Sequence, residues 1–255
     1  MTSTDRRLRL VHDHGQIENC TLGLRRFLGI PDQEHAELTF FVRGRIHLAH
    51  AATMRDHARL LREGEKLPGF NGAYQLVNGP INPAICARYQ SNRIHPAWNG
   101  RVGDGDIALR RAVYIDIDPI RPKGISATDD EKRAAHDVCC RVEDLLLTVL
   151  QDERVLGRGD SGNGYFILIA IEPTSVSAEG TARIRELLKR LAAAYDTDVV
   201  KIDTSVGNVG RLMPAAGTWK RKGENTPERP HRQTSFSCSG SVHRVPLESV
   251  VGYSH

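Results

Sequence analysis

The stretch Ala112-Val113-Tyr114-Ile115-Asp116-Ile117-Asp118-Pro119 decides how the rest of the chain is read. Side chains alternate between the two faces of a strand, so Asp116 and Asp118 project on one side, about 6–7 Å apart along it. Val113, Ile115 and Ile117 form the opposite, apolar face. Two carboxylates so placed repel each other unless a cation or a base lies between them. Oxygen donors on a rigid strand suit Mg²⁺ or Mn²⁺, which keep several waters and take phosphate oxygens as further ligands. A solvated strand end that stops at Pro119 accounts for the same residues.

Working outward, Thr128-Asp129-Asp130-Glu131 is a capping box that opens a helix running to near Gln151. Leu156 to Ile171 reads as two strands around Ser161-Gly162-Asn163-Gly164. An amphipathic helix from Ala178 to Tyr195 leads to the strand Asp198-Val199-Val200-Lys201-Ile202. The order β-α-β-β-α-β is that of a ferredoxin-like, or RNA-recognition-motif-like, unit. Upstream, Leu38 to Val42 reads as a strand, Ala51 to Arg62 as a helix, and Ala73 to Val77 as a strand closed by Asn78-Gly79-Pro80. The polar, glycine-rich passage Asn99 to Asp106 then separates the halves. The expected class is α+β, with modules over residues 1–108 and 109–255; a single sheet shared by both is the alternative.

Hydrophobic residues make up 40% of the 255 and charged residues 26%, enough to bury a core and too ordered a mixture for a fibre or a disordered tail. Net charge is only +4, but Lys201 to Arg232 holds seven basic against three acidic residues, so the whole surplus lies there. A local basic stretch is what a polyanion needs. Five cysteines without a CxxC pair argue against a disulfide framework or a zinc site and for a reducing, cytoplasmic compartment. No run approaches the roughly 18 apolar residues of a membrane span, and Met1 to Leu10 is too charged for a signal peptide.

Two further motifs carry chemistry. In Asp160-Ser161-Gly162-Asn163-Gly164-Tyr165-Phe166, a glycine turn can converge backbone N–H groups on an anion while Ser161 adds a hydroxyl. An Asn-Gly hairpin turn is an equally good local account. In Val200-Lys201-Ile202-Asp203 and the following Val209 to Gly223, Asp203 ends a strand and can complete a three-carboxylate metal site. Arg211 and Lys220-Arg221-Lys222 can neutralise a triphosphate or a nucleic-acid backbone. A solvated loop is the plain alternative.

Taken in order, these motifs resemble the archaeo-eukaryotic primase superfamily, primase-polymerases of plasmids, phages and mobile elements. The match lies in Tyr114 to Thr128, Asp160 to Phe166 and Ile202 to Arg232, with Asn78 to Arg93 similar to the N-terminal module of the bacterial RepB-type branch. The resemblance implies an N-terminal α/β module packed on an RRM-like catalytic unit, with the active site in the cleft between them. It implies that Asp116, Asp118 and Asp203 hold two divalent metals, and that Ser161 and the Gly162-Asn163-Gly164 turn bind the nucleotide's phosphates. By position and charge, Arg211, Lys220 and Lys222 join the nucleotide contacts, and Arg221, Arg229 and Arg232 the nucleic-acid contacts. The implied partners are single-stranded DNA, nucleoside triphosphates and a helicase domain or protein. There is one departure. The family's second motif ends in a phosphate-binding His, and here that position is Phe166, which can neither donate nor titrate.

The expected function is therefore template-dependent nucleotidyl transfer in DNA replication. The alternative is a weakened or inactive primase-like module that binds nucleotide or nucleic acid, and a metal-dependent nuclease comes third. His12-Asp13-His14 has no third ligand at zinc-site spacing, and no paired His motif supports a relaxase. With only 14 aromatic residues, Trp98 and Trp219 read as packing residues, and a backbone-clamping cleft is favoured over a stacking platform.

Overall fold

Thr128 and Glu131 close the box that their spacing predicts. The Thr128 N–H donates to Glu131 Oε2 at 2.8 Å and the Glu131 N–H to Thr128 Oγ1 at 3.1 Å. The computed structural model that shows this describes residues 17–252, so His12-Asp13-His14 lies outside the described residues. The helix that this box opens is one of six among the described residues: α1 (Ile17–Leu28), α2 (Met54–Glu65), α3 (Pro83–Cys86), α4 (Asp129–Leu150), α5 (Ala178–Tyr195) and α6 (Leu247–Val251). The strands are β1 (Ala36–Val42), β2 (Arg45–Ala51), β3 (Phe70–Leu76), β4 (His95–Pro96), β5 (Leu109–Pro119), β6 (Leu156–Asp160), β7 (Tyr165–Ser175), β8 (Val200–Ile202), β9 (Leu212–Pro214), β10 (Trp219–Lys220), β11 (Arg232–Gln233) and β12 (Ser235–Cys238).

The architecture is α+β. One antiparallel sheet has the order β12-β6-β7-β5-β8, in which the β-α-β-β-α-β unit supplies four strands in the ferredoxin-like order and β12 adds an edge. Alternation along β5 buries Val113, Ile115 and Ile117 in a core that includes Val138 and Val142 of α4 and Leu187 and Leu188 of α5. Each such side chain contributes roughly 1.5–3 kcal/mol on burial, which holds the two helices on one face and leaves the other to Tyr114, Asp116 and Asp118.

The second sheet, β4-β2-β1-β3-β9, is also antiparallel. Here β2 is a strand where the sequence suggested no element, and α2 starts at Met54 rather than Ala51. The residues Arg-Ile-His-Leu-Ala-His-Ala carry weak strand preference alone, and pairing with β1 over the full length of β2 supplies the rest. Thr53 sets the start of α2 by accepting from the Asp56 N–H at 3.1 Å.

Two elements cross the division at residue 108. β9, from the second half of the chain, pairs with β3 in the second sheet. α1, from the first half, places Leu24, Phe27 and Leu28 in the core of the ferredoxin-like sheet. Asn78 ties the halves together: its Oδ1 accepts from the N–H groups of Arg111 (2.8 Å) and Ala112 (3.2 Å), and its Nδ2 donates to Val209 O at 3.2 Å. The turn at Asn78 is thus also a staple. Among the described residues, no helix is long and apolar enough to cross a membrane.

Candidate active site

The open face of β5 meets the β3–β9 edge of the other sheet, and a cleft of about 230 Å³ lies between them. At one end stand the carboxylates of Asp116 and Asp118. Asp203 follows β8, and its backbone N–H donates to the Asp116 carbonyl at 2.9 Å. Pairing of β8 with β5 therefore brings the backbone of Asp203, distant in sequence, beside that of Asp116, two residues from Asp118. The Asp203 side chain accepts from the Ser205 N–H at 2.8 Å and from Arg211 Nη2 at 3.0 Å. Asp118 Oδ1 lies 3.8 Å from Arg121 Nη1. Burial, then the neighbouring Asp118, pushes the Asp116 carboxyl up to about 8, against the pull of Arg211.

Ser161 to Gly164 form a tight turn beside these acids. Ser161 N–H donates to Gly164 O at 3.0 Å, and Ser161 Oγ accepts from the Gly164 N–H at 2.9 Å. Lys132 Nζ braces the turn through Asp160 Oδ1 at 2.5 Å. Gly164 is needed for close approach, since a Cβ there would collide with the Ile117 carbonyl oxygen and the Asp118 carboxylate. Gly162 has φ +86°, and a Cβ there would press on Lys220 Cβ at 2.7 Å. These glycines let the turn fit between β5 and the β10–β11 hairpin, and neither of them lines the cleft. Asn163 does line it. The Ala127 N–H donates to its Oδ1 at 2.8 Å, while its buried Nδ2 has no partner among the described residues.

The basic residues divide into two groups. Lys220 is buried with Nζ 3.6 Å above the Tyr74 ring, and burial followed by Lys222 holds its ammonium well below the usual value. Lys222 is also held down, by burial and Arg121, with Asp118 and Asp116 pulling the other way. Both line the cleft with Arg121 and Arg211. The second group serves the scaffold. Arg229 forms a two-pronged pair with Glu131 at 2.9 and 3.0 Å, and Arg232 bonds Ala127 O at 2.7 Å and Asp129 Oδ1 at 2.5 Å. Both clamp the β10–β11 hairpin to the α4 N-terminus. Arg221 lies over the Phe70 ring, 5.6 Å from its centroid. None of these three lines the cleft.

Phe166 is opposite Asp116 in the β5–β7 register, yet its ring is fully buried. It stacks on Phe236 at 6.3 Å, tilts against Tyr114 at 5.6 Å and lies over Gly159. It lies outside the cleft lining, so the position where the resemblance places a phosphate ligand is part of the core here. Of the nucleotide contacts expected from sequence, Ser161, Asn163, Arg211, Lys220 and Lys222 line the cleft, and Gly162, Gly164 and Phe166 do not. Sequence reasoning missed Arg121, Tyr74 and Tyr114. Arg121 is three residues past Asp118 on the strand exit, a local signal that was readable; Tyr74 comes from the other sheet and had none.

The oxygen-only donor set and the raised Asp116 carboxyl fit a hard divalent cation, which would relieve the mutual repulsion. In the arrangement seen, with Asp203 held by Arg211, no three His, Cys, Asp or Glu side chains among the described residues converge enough to hold a metal. No family model matches the chain, and no curated protein matches it. Among solved structures it is similar to the AEP domain of the primase-polymerase of cyanophage S-2L, at 13% identity and a TM-score of 0.45, over 89% of this chain and 92% of that one. It is also similar to the primase RepB′, at 11% identity and a TM-score of 0.47, over 93% of this chain and 61% of that one.

Proposed function

We propose that the chain is a primase-polymerase that joins nucleoside triphosphates on a single-stranded DNA template. One observation carries this reading: Asp116, Asp118 and Asp203 line one cleft together with Lys220, Lys222, Arg121 and Arg211. The two ammonium groups, each held down by burial and Lys220 also by Lys222, favour a polyanionic ligand such as a triphosphate.

Asp116, Asp118 and Asp203 would hold the divalent cations. Such cations, when bound, activate a 3′-hydroxyl and neutralise charge on the departing pyrophosphate. Lys220 and Lys222 would bind the triphosphate tail, Arg121 would bridge it to the acidic end, and Asn163 Nδ2 offers an unspent donor. Ser161 keeps the turn in register beside Asp118. A helicase as partner, whether a domain or a separate protein, belongs to the same reading.

The test is incorporation of labelled nucleotides on primed and unprimed single strands with Mg²⁺ or Mn²⁺. Metal-dependent product that is lost in Asp116→Ala with Asp118→Ala is the expected result. Product that survives the double substitution would overturn the metal assignment. Metal-dependent nucleotide binding without product would favour the second reading, a binding module, for which the burial of Phe166 in place of a phosphate ligand is the supporting observation.

A further inference from the structure

We infer that a strip through Phe41, Ile46 and Trp98, on the face of the second sheet turned away from α2, is a stacking track for single-stranded nucleic acid, leading from the cleft at Tyr74 to Trp98. The register defines the track. Tyr74 lines the cleft and meets Phe41 edge-on at 5.2 Å; Phe41 pairs directly with Ile46, and the Ala97 N–H donates to Ile46 O at 3.0 Å just before Trp98. Tyr74, Phe41 and Ile46 share one face of the sheet, opposite the face buried under α2 by Leu38, Phe40 and Ala73. Gly72, on the track side, leaves the room in which Lys220 lies over Tyr74.

The far end is built and exposed. Trp98 is 62% exposed and Ile46 39%, against the packing role that composition suggested for the tryptophan. Trp98 stands on Tyr89 (5.9 Å) and His95 (5.7 Å), and Tyr89 stands on His50. Tyr89 also donates to Gly100 O at 3.0 Å and accepts from the Asn99 N–H at 2.7 Å, which fixes the loop that carries the indole. A packing residue needs cover, and this one is supported from below and bare above.

Charge selects the occupant. From Ala84 to Gly103 the sequence has three arginines and no acidic residue, and Arg88, Arg93 and Arg101 are all exposed. Among the described residues, Arg88 and Arg93 make long side-chain hydrogen bonds, to Asn99 O at 3.5 Å and Gln90 Oε1 at 3.4 Å. Exposed guanidinium groups on the segment that carries the indole suit a strand whose bases stack and whose phosphates are exposed. A duplex hides its bases, so a single strand is the matching ligand. From β4 to β9 the sheet spans four strand spacings, on the order of 20 Å, so the track would hold the template beyond the cleft. The inference rests on the reading of the cleft as a template-directed site.

The chain has two tryptophans, so Trp219→Phe leaves Trp98 as the reporter. Titration with oligothymidylate is expected to quench it. Trp98→Ala should weaken binding by roughly tenfold or more while Trp98→Phe restores most of it. Arg88→Gln with Arg101→Gln should flatten the salt dependence by roughly 0.7 in log–log slope per lost phosphate contact. Unquenched fluorescence, equal binding by Trp98→Ala, or equal quenching by a duplex would each overturn the track. Nucleotide incorporation is scored separately. Trp98-dependent binding without synthesis sinks the proposed function and keeps the track, whereas synthesis with no effect of Trp98 does the reverse.

Discussion

The backbone N–H of Asp203 donates to the carbonyl of Asp116 at 2.9 Å, so main-chain pairing brings the third acidic residue beside the first. Its side chain is partly exposed and bonded to Arg211 and Ser205. Asp203→Ala is therefore expected to change stability little, within roughly 1 kcal/mol. Nucleotide incorporation should fall by roughly 10²–10³-fold, as when a charge-stabilising group is removed from an active site. Urea denaturation and an incorporation assay on the same preparation check both halves.

Gly164 bears directly on the position of Asp118. A Cβ at residue 164 would meet backbone as well as the Asp118 carboxylate, so relief requires movement of the β5 end. Gly164→Ala should lose about 1–3 kcal/mol of stability. It should also lose metal-dependent activity at temperatures where the protein is still folded. An unchanged activity would show that the turn does not position Asp118.

Phe166→His restores the residue type that the resemblance expects, but places it in a site that water does not reach. Two ring nitrogens would replace a ring stacked on Phe236 and lying over Gly159. The expected outcome is a loss of about 1–3 kcal/mol from unpaired buried polar atoms. Nucleotide affinity, followed by equilibrium titration, should not rise.

The two groups of basic residues separate by salt dependence. Lys222→Gln is expected to weaken nucleotide binding in the cleft. Arg229→Gln should leave it unchanged and instead lower stability, because Arg229 is spent on Glu131 and Ser126 O. Binding isotherms at two salt concentrations, paired with melting curves, distinguish them.

His57 sets an acid limit on the fold. Burial, and then the nearby Arg25, pushes its imidazole down to about 3, so it is neutral in the folded protein. Below about pH 6.5 the unfolded chain takes up a proton that the folded one refuses. Stability is complete above that pH and falls as pH drops, by up to about 1.4 kcal/mol per unit, or roughly 2 kcal/mol by pH 5. His57→Leu should flatten this part of the profile in urea titrations at stepped pH.

Much of the ferredoxin-like half was legible because its signals are local. Alternation in Val113 to Asp118 showed which side of β5 is apolar, and the Thr128–Glu131 box placed α4 within a residue. The strand β2 was not legible, since its residues become a strand only by pairing with β1. The same limit applies to the basic stretch from Lys201 to Arg232. One dimension shows its charge but not that Arg229 and Arg232 face Glu131 and Asp129, leaving Lys220 and Lys222 for the cleft.

What the sequence alone determined is the β-α-β-β-α-β order and the three acids that can meet when it folds, because periodicity and capping depend on near neighbours. Only the tertiary structure decided that Phe166 belongs to the core, that Tyr74 of the other sheet walls the cleft, and that Trp98 stands uncovered. Burial is a property of what packs on a residue from elsewhere in the chain. No local pattern encodes that partner.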